Sequence, residues 1–167
     1  MYALVVIDFQ ERIAKHIEGI EKVKKNTQKL IEAFEIFGFP VIYTKQINLG
    51  EVIFKKEAIE KASFSCWRER NFIETIEKIK AKNIVLAGIE AHICVIQTAL
   101  DMKKNGYNVE VAIDCTGSRS EEQKNIAMER MKQEGIKITS SEMLIYQIME
   151  SARYERFKEI LEIIKKK

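Results

Sequence analysis

Strand-length apolar runs alternate with stretches of helical period along the whole chain, and few folds accommodate that order. The runs are "YALVVI" (Tyr2–Ile7), "VIYT" (Val41–Thr44), "NIVLAGI" (Asn83–Ile89), "NVEVAI" (Asn108–Ile113) and "IKIT" (Ile136–Thr139). All are too short for ordinary helices and rich in β-branched residues. After the first run, Ile13, Ile17, Ile20, Val23, Leu30, Phe34 and Phe37 recur every three or four residues, interrupted near Gly19. That spacing predicts a short helix followed by a longer one. Gly38 stands where a left-handed cap would end the longer helix, and Pro40 leads into the second strand. Further helices are expected over Asn71–Ile79, His92–Asn105, Glu121–Glu134, Ser141–Ser151 and Tyr154–Lys165. "KASF" (Lys61–Phe64) reads as a sixth, short strand, and Lys45–Glu60 as a loop with at most a turn of helix. Such alternation, without repeat or linker, argues an α/β fold in one domain, 1–167: a parallel sheet between two helical layers. Ligand crevices in these sheets lie beyond the carboxyl ends of the strands, where the strand order reverses.

The first strand runs into Asp8, a carboxylate that cores and strands both reject. A chain of 167 residues, 46% hydrophobic and 32% charged, holds a full core without help from metal or disulfides. Its net charge of +3 comes from lysines mixed with glutamates, so no nucleic-acid partner is expected. The basic end "IIKKK" suits a helix terminus, where cations favour the dipole. No apolar run approaches a membrane span, and the start "MYALVVIDFQ" has no basic leader. Cys66, Cys94 and Cys115 cannot all pair within the chain, which suggests a reducing, cytoplasmic setting. The only histidines are His16 and His92, and H-x-H, H-E-x-x-H and C-x-x-C are absent; neither a metal nor a cofactor is expected.

Three residues converge on the carboxyl edge of the expected sheet: Asp8 after the first strand, Lys61 in "KASF", and Cys94 just past "NIVLAGI". Were the first and fourth strands neighbours, Asp8 and Cys94 would face each other across about one strand spacing, roughly 5 Å. A free thiol is mostly protonated at neutral pH. A carboxylate can take its proton and deliver it to a leaving amine. The same carboxylate repels a thiolate, so a lysine is needed to offset it. Each residue also has a plainer reading. Cys94 could be a small buried hydrophobe, Lys61 one solvated lysine among many, and Asp8 an N-cap of the first helix.

At these positions the sequence resembles the isochorismatase-like cysteine hydrolases, the superfamily of nicotinamidases and N-carbamoylsarcosine amidases. The resemblance runs nearly end to end, through "ALVVIDFQ", "EKASFS" and "LAGIEAHICVIQTALDMKKNGYNVEVAIDCTGSRS". The last stretch and the following "AMER" are most similar to the isochorismatase-domain-containing branch. The resemblance implies six parallel strands in the order 3-2-1-4-5-6. It further implies Asp8 as base, Lys61 as electrostatic partner and Cys94 as nucleophile. A cis peptide at Ile89–Glu90 would aim the Glu90 and Cys94 amides at one point as an oxyanion hole. Two departures narrow the chemistry. "YTKQINLGEVIFKKE" lacks the histidines with which nicotinamidases hold a metal, and Cys94 points away from the vinyl-ether cleavage of isochorismatases proper.

The expectation is therefore a hydrolase of a C–N bond in a small amide, ureide or related compound. Phe9, Gln10, Phe64, Trp67 and His92 are candidate pocket residues by position alone, and Cys66 and Cys115 read as structural. The rival readings are a binding or scaffolding protein with a vestigial site and, with no C-x-x-C, a thiol redox protein. A homo-oligomer is expected; the apolar face of Ile160, Leu161, Ile163 and Ile164 would serve either an interface or the sheet.

Overall fold

The computed structural model describes residues 1–166; Lys167, at the end of the basic run, lies outside them. Six strands form one parallel sheet: β1 (Tyr2–Ile7), β2 (Val41–Gln46), β3 (Ile59–Lys61), β4 (Asn83–Ile89), β5 (Asn108–Gly117) and β6 (Lys137–Thr139). Their order is β3-β2-β1-β4-β5-β6. All five pairings are parallel. The chain winds from β1 outward through β2 to β3, then returns beside β1 to start β4. The strand order thus reverses between β1 and β4, where a crevice must open. Gly88 pairs with Ile7 beside that crevice. A Cβ on Gly88 would run into the Ile7 backbone, so only glycine permits the close approach.

The helices are α1 (Glu11–Ala14), α2 (Ile20–Phe37), α3 (Arg70–Ile79), α4 (Ile96–Lys104), α5 (Glu121–Gln133), α6 (Ser141–Met149) and α7 (Phe157–Lys165). Successive β1 residues alternate between two cores, because strand side chains point alternately to opposite faces. Ala3, Val5 and Ile7 pack with Phe72 and Ile76 of α3, Ala99 and Met102 of α4, and Ala127 and Met131 of α5. Leu4 and Val6 pack with Leu30 and Phe34 of α2, Leu144 of α6 and Ile160 of α7. Ile160 is buried there with Ile164 packed against the cluster, and Ile163 is also buried, so this part of the α7 apolar face serves the fold.

Three details differ from the sequence expectations. The short strand is Ile59–Lys61, so Lys61 ends it instead of opening it; pairing with Thr44–Gln46 of the extended β2 sets that register. The helix expected from His92 starts as a wide π-type turn, Ala91–Val95, before regular winding begins at Ile96. β5 continues to Gly117, past the polar residues Asp114 and Thr116 that the sequence offers as a stop.

Candidate active site

Asp8 does not cap α1; that position belongs to Gln10. Its backbone instead takes a left-handed turn with φ 48°. Asp tolerates this region better than most residues but still pays a local conformational cost. The turn is tied to β2, where the Asp8 N–H donates to the Thr44 carbonyl at 3.2 Å. The Thr44 hydroxyl donates to Asp8 Oδ1 at 2.8 Å. Oδ2 lies 2.7 Å from Lys61 Nζ, and both side chains are sealed from solvent. Among the described residues Oδ2 has this ion pair and no directed hydrogen bond, and it retains lone-pair capacity.

Lys61 reaches this point from the end of β3. Nζ donates to Gln46 Oε1 at 2.7 Å, Phe64 O at 2.9 Å and Ser63 O at 3.1 Å, and it lies 3.6 Å from Cys94 Sγ. A buried ammonium survives only with this density of acceptors. Cys94 sits in the π-type turn, whose wide ring is closed by the Val95 N–H donating to Glu90 O at 3.2 Å. Such turns recur at functional sites because they displace one residue from the helical path. The Thr98 hydroxyl donates to Cys94 O at 2.7 Å and accepts from the Cys66 N–H at 3.0 Å, which fixes the turn to the segment after β3. The peptide between Ile89 and Glu90 is cis.

Charge and burial set the resting state of the sulfur. The Cys94 thiol is pushed up to about 12, first by burial and then by the Asp8 carboxylate; Lys61 opposes both without cancelling them. The expected offset by lysine thus falls short, because desolvation adds to the carboxylate's repulsion. The sulfur is thus held as a thiol beside a carboxylate. For Lys61, burial is the largest single influence and disfavours the cation, but Asp8, Cys66 and Cys94 together outweigh it and the net displacement is upward. Cys66, fully buried, is pushed up to about 11, by burial and then by Asp8.

Asp8 and Cys94 open into a cavity of about 380 Å³, also lined by Arg12, Ile13, His16, Gln46, Leu49, Phe64, Glu90, Ile93 and Arg119. Its size falls at the lower end of small-ligand sites. Of the five candidate pocket residues, only Phe64, 54% exposed at the mouth, lines it. Phe9 is fully buried in the opposite core, its ring 5.0 Å from that of Phe54. Trp67 packs edge-on against Tyr107, ring centroids 5.1 Å apart, under the α3–α5 layer. Gln10 is buried behind the wall and acts as a clamp. Its Nε2 donates to Gly50 O at 2.6 Å and Gln46 O at 3.0 Å, and its Oε1 accepts from the Gln46 N–H at 2.8 Å. His92 stands outside the lining, sharing a 2.9 Å hydrogen bond between Nδ1 and Ser118 Oγ. Burial lowers its pKa, and Arg119 lowers it further.

The sequence reading missed Arg12, His16, Gln46, Leu49 and Arg119. The four-residue spacing of Arg12 and His16 was an available signal; Gln46 and Leu49 lie in the segment with no readable period. Among the described residues, no three potential metal-ligating side chains gather at one point.

Residues 2–143 match the model of the Isochorismatase domain. A Dictyostelium discoideum protein, Isochorismatase family protein 2A, is 33% identical over 99% of this chain and 90% of its own length. A Caenorhabditis elegans structure described as MAR1 ribonuclease superposes with TM-score 0.91 at 32% identity, covering 98% of this chain and 88% of that one. The Escherichia coli YcaC structure, described as an octameric hydrolase of unknown specificity, has TM-score 0.89 at 20% identity, covering 96% and 84%.

Proposed function

The chain belongs to the isochorismatase family, and from that premise we propose that residues 1–167 act as one cysteine hydrolase unit that cleaves a C–N bond of a small amide, ureide or related compound. One observation carries the reading: a sealed Asp8–Lys61 ion pair of 2.7 Å with the Cys94 sulfur 3.6 Å from the same ammonium, at the floor of a cavity.

As Cys94 Sγ attacks the substrate carbonyl carbon, its proton passes to Asp8. Negative charge leaves the carboxylate and reaches the reacting atoms while Lys61 stays within reach of both sites. The net charge of the three groups and the substrate is unchanged, so the step needs little solvent rearrangement. The carbonyl oxygen becomes an oxyanion, received by the backbone N–H groups of Glu90 and Cys94. Collapse of the tetrahedral adduct breaks the C–N bond; Asp8 returns the proton to the departing nitrogen and leaves an acyl-cysteine. Asp8, again a carboxylate, takes a proton from water as the water attacks the thioester. Collapse expels the sulfur, which recovers that proton, and the free acid departs.

The test is a panel of small amides and ureides, with mass spectrometry of the Cys94 peptide after rapid quenching. An acyl adduct on Cys94 together with released amine is the expected result. Thermal stabilisation by a panel member without turnover would select a binding protein with a vestigial site. RNA cleavage lost in Cys94→Ala would move the target to a phosphodiester, the activity for which the C. elegans neighbour is described.

Self-association belongs to the same reading. Met143 and Tyr146, one turn apart on α6, are 65% and 41% exposed and offer an apolar patch to a second copy. Light scattering showing only monomer would remove it.

A further inference from the structure

The walls of the cavity carry unequal charge. Asp8 is neutralised by Lys61 at 2.7 Å and Glu90 by Arg119 Nε at 2.8 Å. Arg12 is the remaining cation, and among the described residues none of the ion pairs includes it. Its polar contact is a neutral one, Nη1 donating to Asn48 O at 3.0 Å. A guanidinium has five N–H donors, so most of them are left for a ligand.

Arg12 is nevertheless placed. The point where a Gly50 Cβ would sit lies 3.9 Å from both Cγ and Nε of Arg12. The side chain therefore rests on the 46–50 segment, which the buried Gln10 amide holds by hydrogen bonds at both Gln46 and Gly50. Asn48, the acceptor for Arg12, has φ 64° within this clamped segment. Arg12 is exposed at the cavity wall, and these contacts restrict it ahead of binding, which lowers the conformational freedom lost on engaging an anion; its planar fork matches a carboxylate. Ile13, Leu49, Phe64 and Ile93 supply apolar wall around it.

We propose that the substrate is a small amide or ureide that also carries a carboxylate, and that Arg12 engages that carboxylate while the scissile carbonyl lies over Cys94. The proposal rests on the hydrolase reading and narrows it to anionic substrates with a short apolar body. Arg12 is a specificity residue: it discriminates the anionic compound from its neutral amide, and it takes no part in bond breaking.

The test compares two alkylating reagents that differ in one group, N-iodoacetylglycine and its methylamide. In both, Sγ displaces iodide from the same carbon and the thiol proton passes to Asp8; only the first presents a carboxylate to Arg12. The quantity read is the ratio of the two second-order rates at Cys94, divided by the same ratio for glutathione. A ratio of about ten or more is expected for the wild-type protein, the scale of one charged hydrogen-bonded contact. In Arg12→Gln the ratio should fall to within about two-fold of glutathione's, and Arg12→Lys, which keeps the charge, should recover part of it. A ratio equal to that of glutathione in the wild type, or one unchanged in Arg12→Gln, overturns the anionic substrate and leaves the hydrolase reading standing. Failure of both reagents to label Cys94 in the folded protein overturns the hydrolase reading itself, and this proposal with it.

Discussion

Cys94 and Cys115 occupy opposite faces of one sheet, and both thiols are held protonated by burial. Cys115 sits in β5 among the α2, α6 and α7 side chains, fully buried, with its pKa raised well above the ordinary value by desolvation and then by Asp114. Cys94 is also displaced upward, yet it lies beyond a strand end, 7% exposed at a cavity floor. The direction in which the thiol is displaced does not separate them. One has a carboxylate–ammonium pair beside it and space for a carbonyl in front; the other has a carboxylate, Asp114, with Thr27 and Ser141 beside it, but it is sealed from solvent. A protonated thiol becomes a nucleophile when its proton has somewhere to go and a carbonyl can reach it; a thiol sealed in a core, even beside a carboxylate, is a filler of core volume.

Exchanging the sulfurs tests this contrast most severely. Cys94→Ala should lower turnover by about 10⁴-fold or more, the scale seen when an essential nucleophile is lost. Cys115→Ala should leave the rate within a few-fold, measured on whichever amide the panel selects. Asp8→Asn separates acidity from reactivity. Turnover should drop by about 10² to 10⁴-fold with the base removed. The Cys94 pKa should meanwhile fall, since the carboxylate's repulsion is gone and Lys61 remains. Alkylation by iodoacetamide at pH 8, in which Asp8 also takes the thiol proton, should nevertheless be slower at Cys94 than in the wild type; faster alkylation would contradict the base role. In the wild type, Cys94 should be labelled ahead of Cys66 and Cys115, because it alone meets the cavity.

Lys61→Met leaves the Asp8 carboxylate buried without its counter-charge. A loss of about 3–5 kcal/mol is expected in urea unfolding. Recovery of most of that loss in Lys61→Met/Asp8→Asn would locate the cost in the orphaned charge. The pH dependence has a definite sign. The thiols of Cys66, Cys94 and Cys115 all have folded pKa values above their unfolded ones. Above about pH 9 the unfolded chain therefore loses thiol protons that the folded chain keeps. Stability from these groups is fully present below that pH and falls as pH rises towards the folded values. The loss is roughly 1 kcal/mol per pH unit for each thiol. Cys115→Ala should flatten this alkaline slope even where it costs some packing, and an unchanged slope would break the argument. The smallest effect expected is in Thr44→Val, which removes the hydroxyl donor to Asp8 Oδ1 at a cost of about 1–2 kcal/mol.

Much of the architecture was legible because it follows from period. Tyr2–Ile7 and Asn83–Ile89 could only be buried strands, and the three-to-four spacing from Ile13 to Phe37 could only be helical, with Gly19 marking the break. Asp8 was legible alone, as an acid closing a strand; Lys61 and Cys94 each had a plainer reading and joined it through the chemistry that links the three and the resemblance to the isochorismatase-like hydrolases. What they surround was not. Phe9 and Trp67 are large, apolar and close in sequence to the site, yet Phe9 packs behind β1 and Trp67 under Tyr107. The direction of a side chain after a strand end depends on the turn it follows, here a left-handed Asp8 that no local pattern announces.

The chain's own order of residues was enough to establish a layered α/β fold and the identity of an acid, an amine and a sulfur at one sheet edge, since periodicity and burial preference are properties of short segments. Only the folded molecule decided that burial displaces the thiol upward, that the Gln10 amide clamps the 46–50 segment, and that, among the described residues, Arg12 is left without a carboxylate. Those outcomes depend on dielectric surroundings and on distances between groups dozens of residues apart, and neither is encoded in any local stretch.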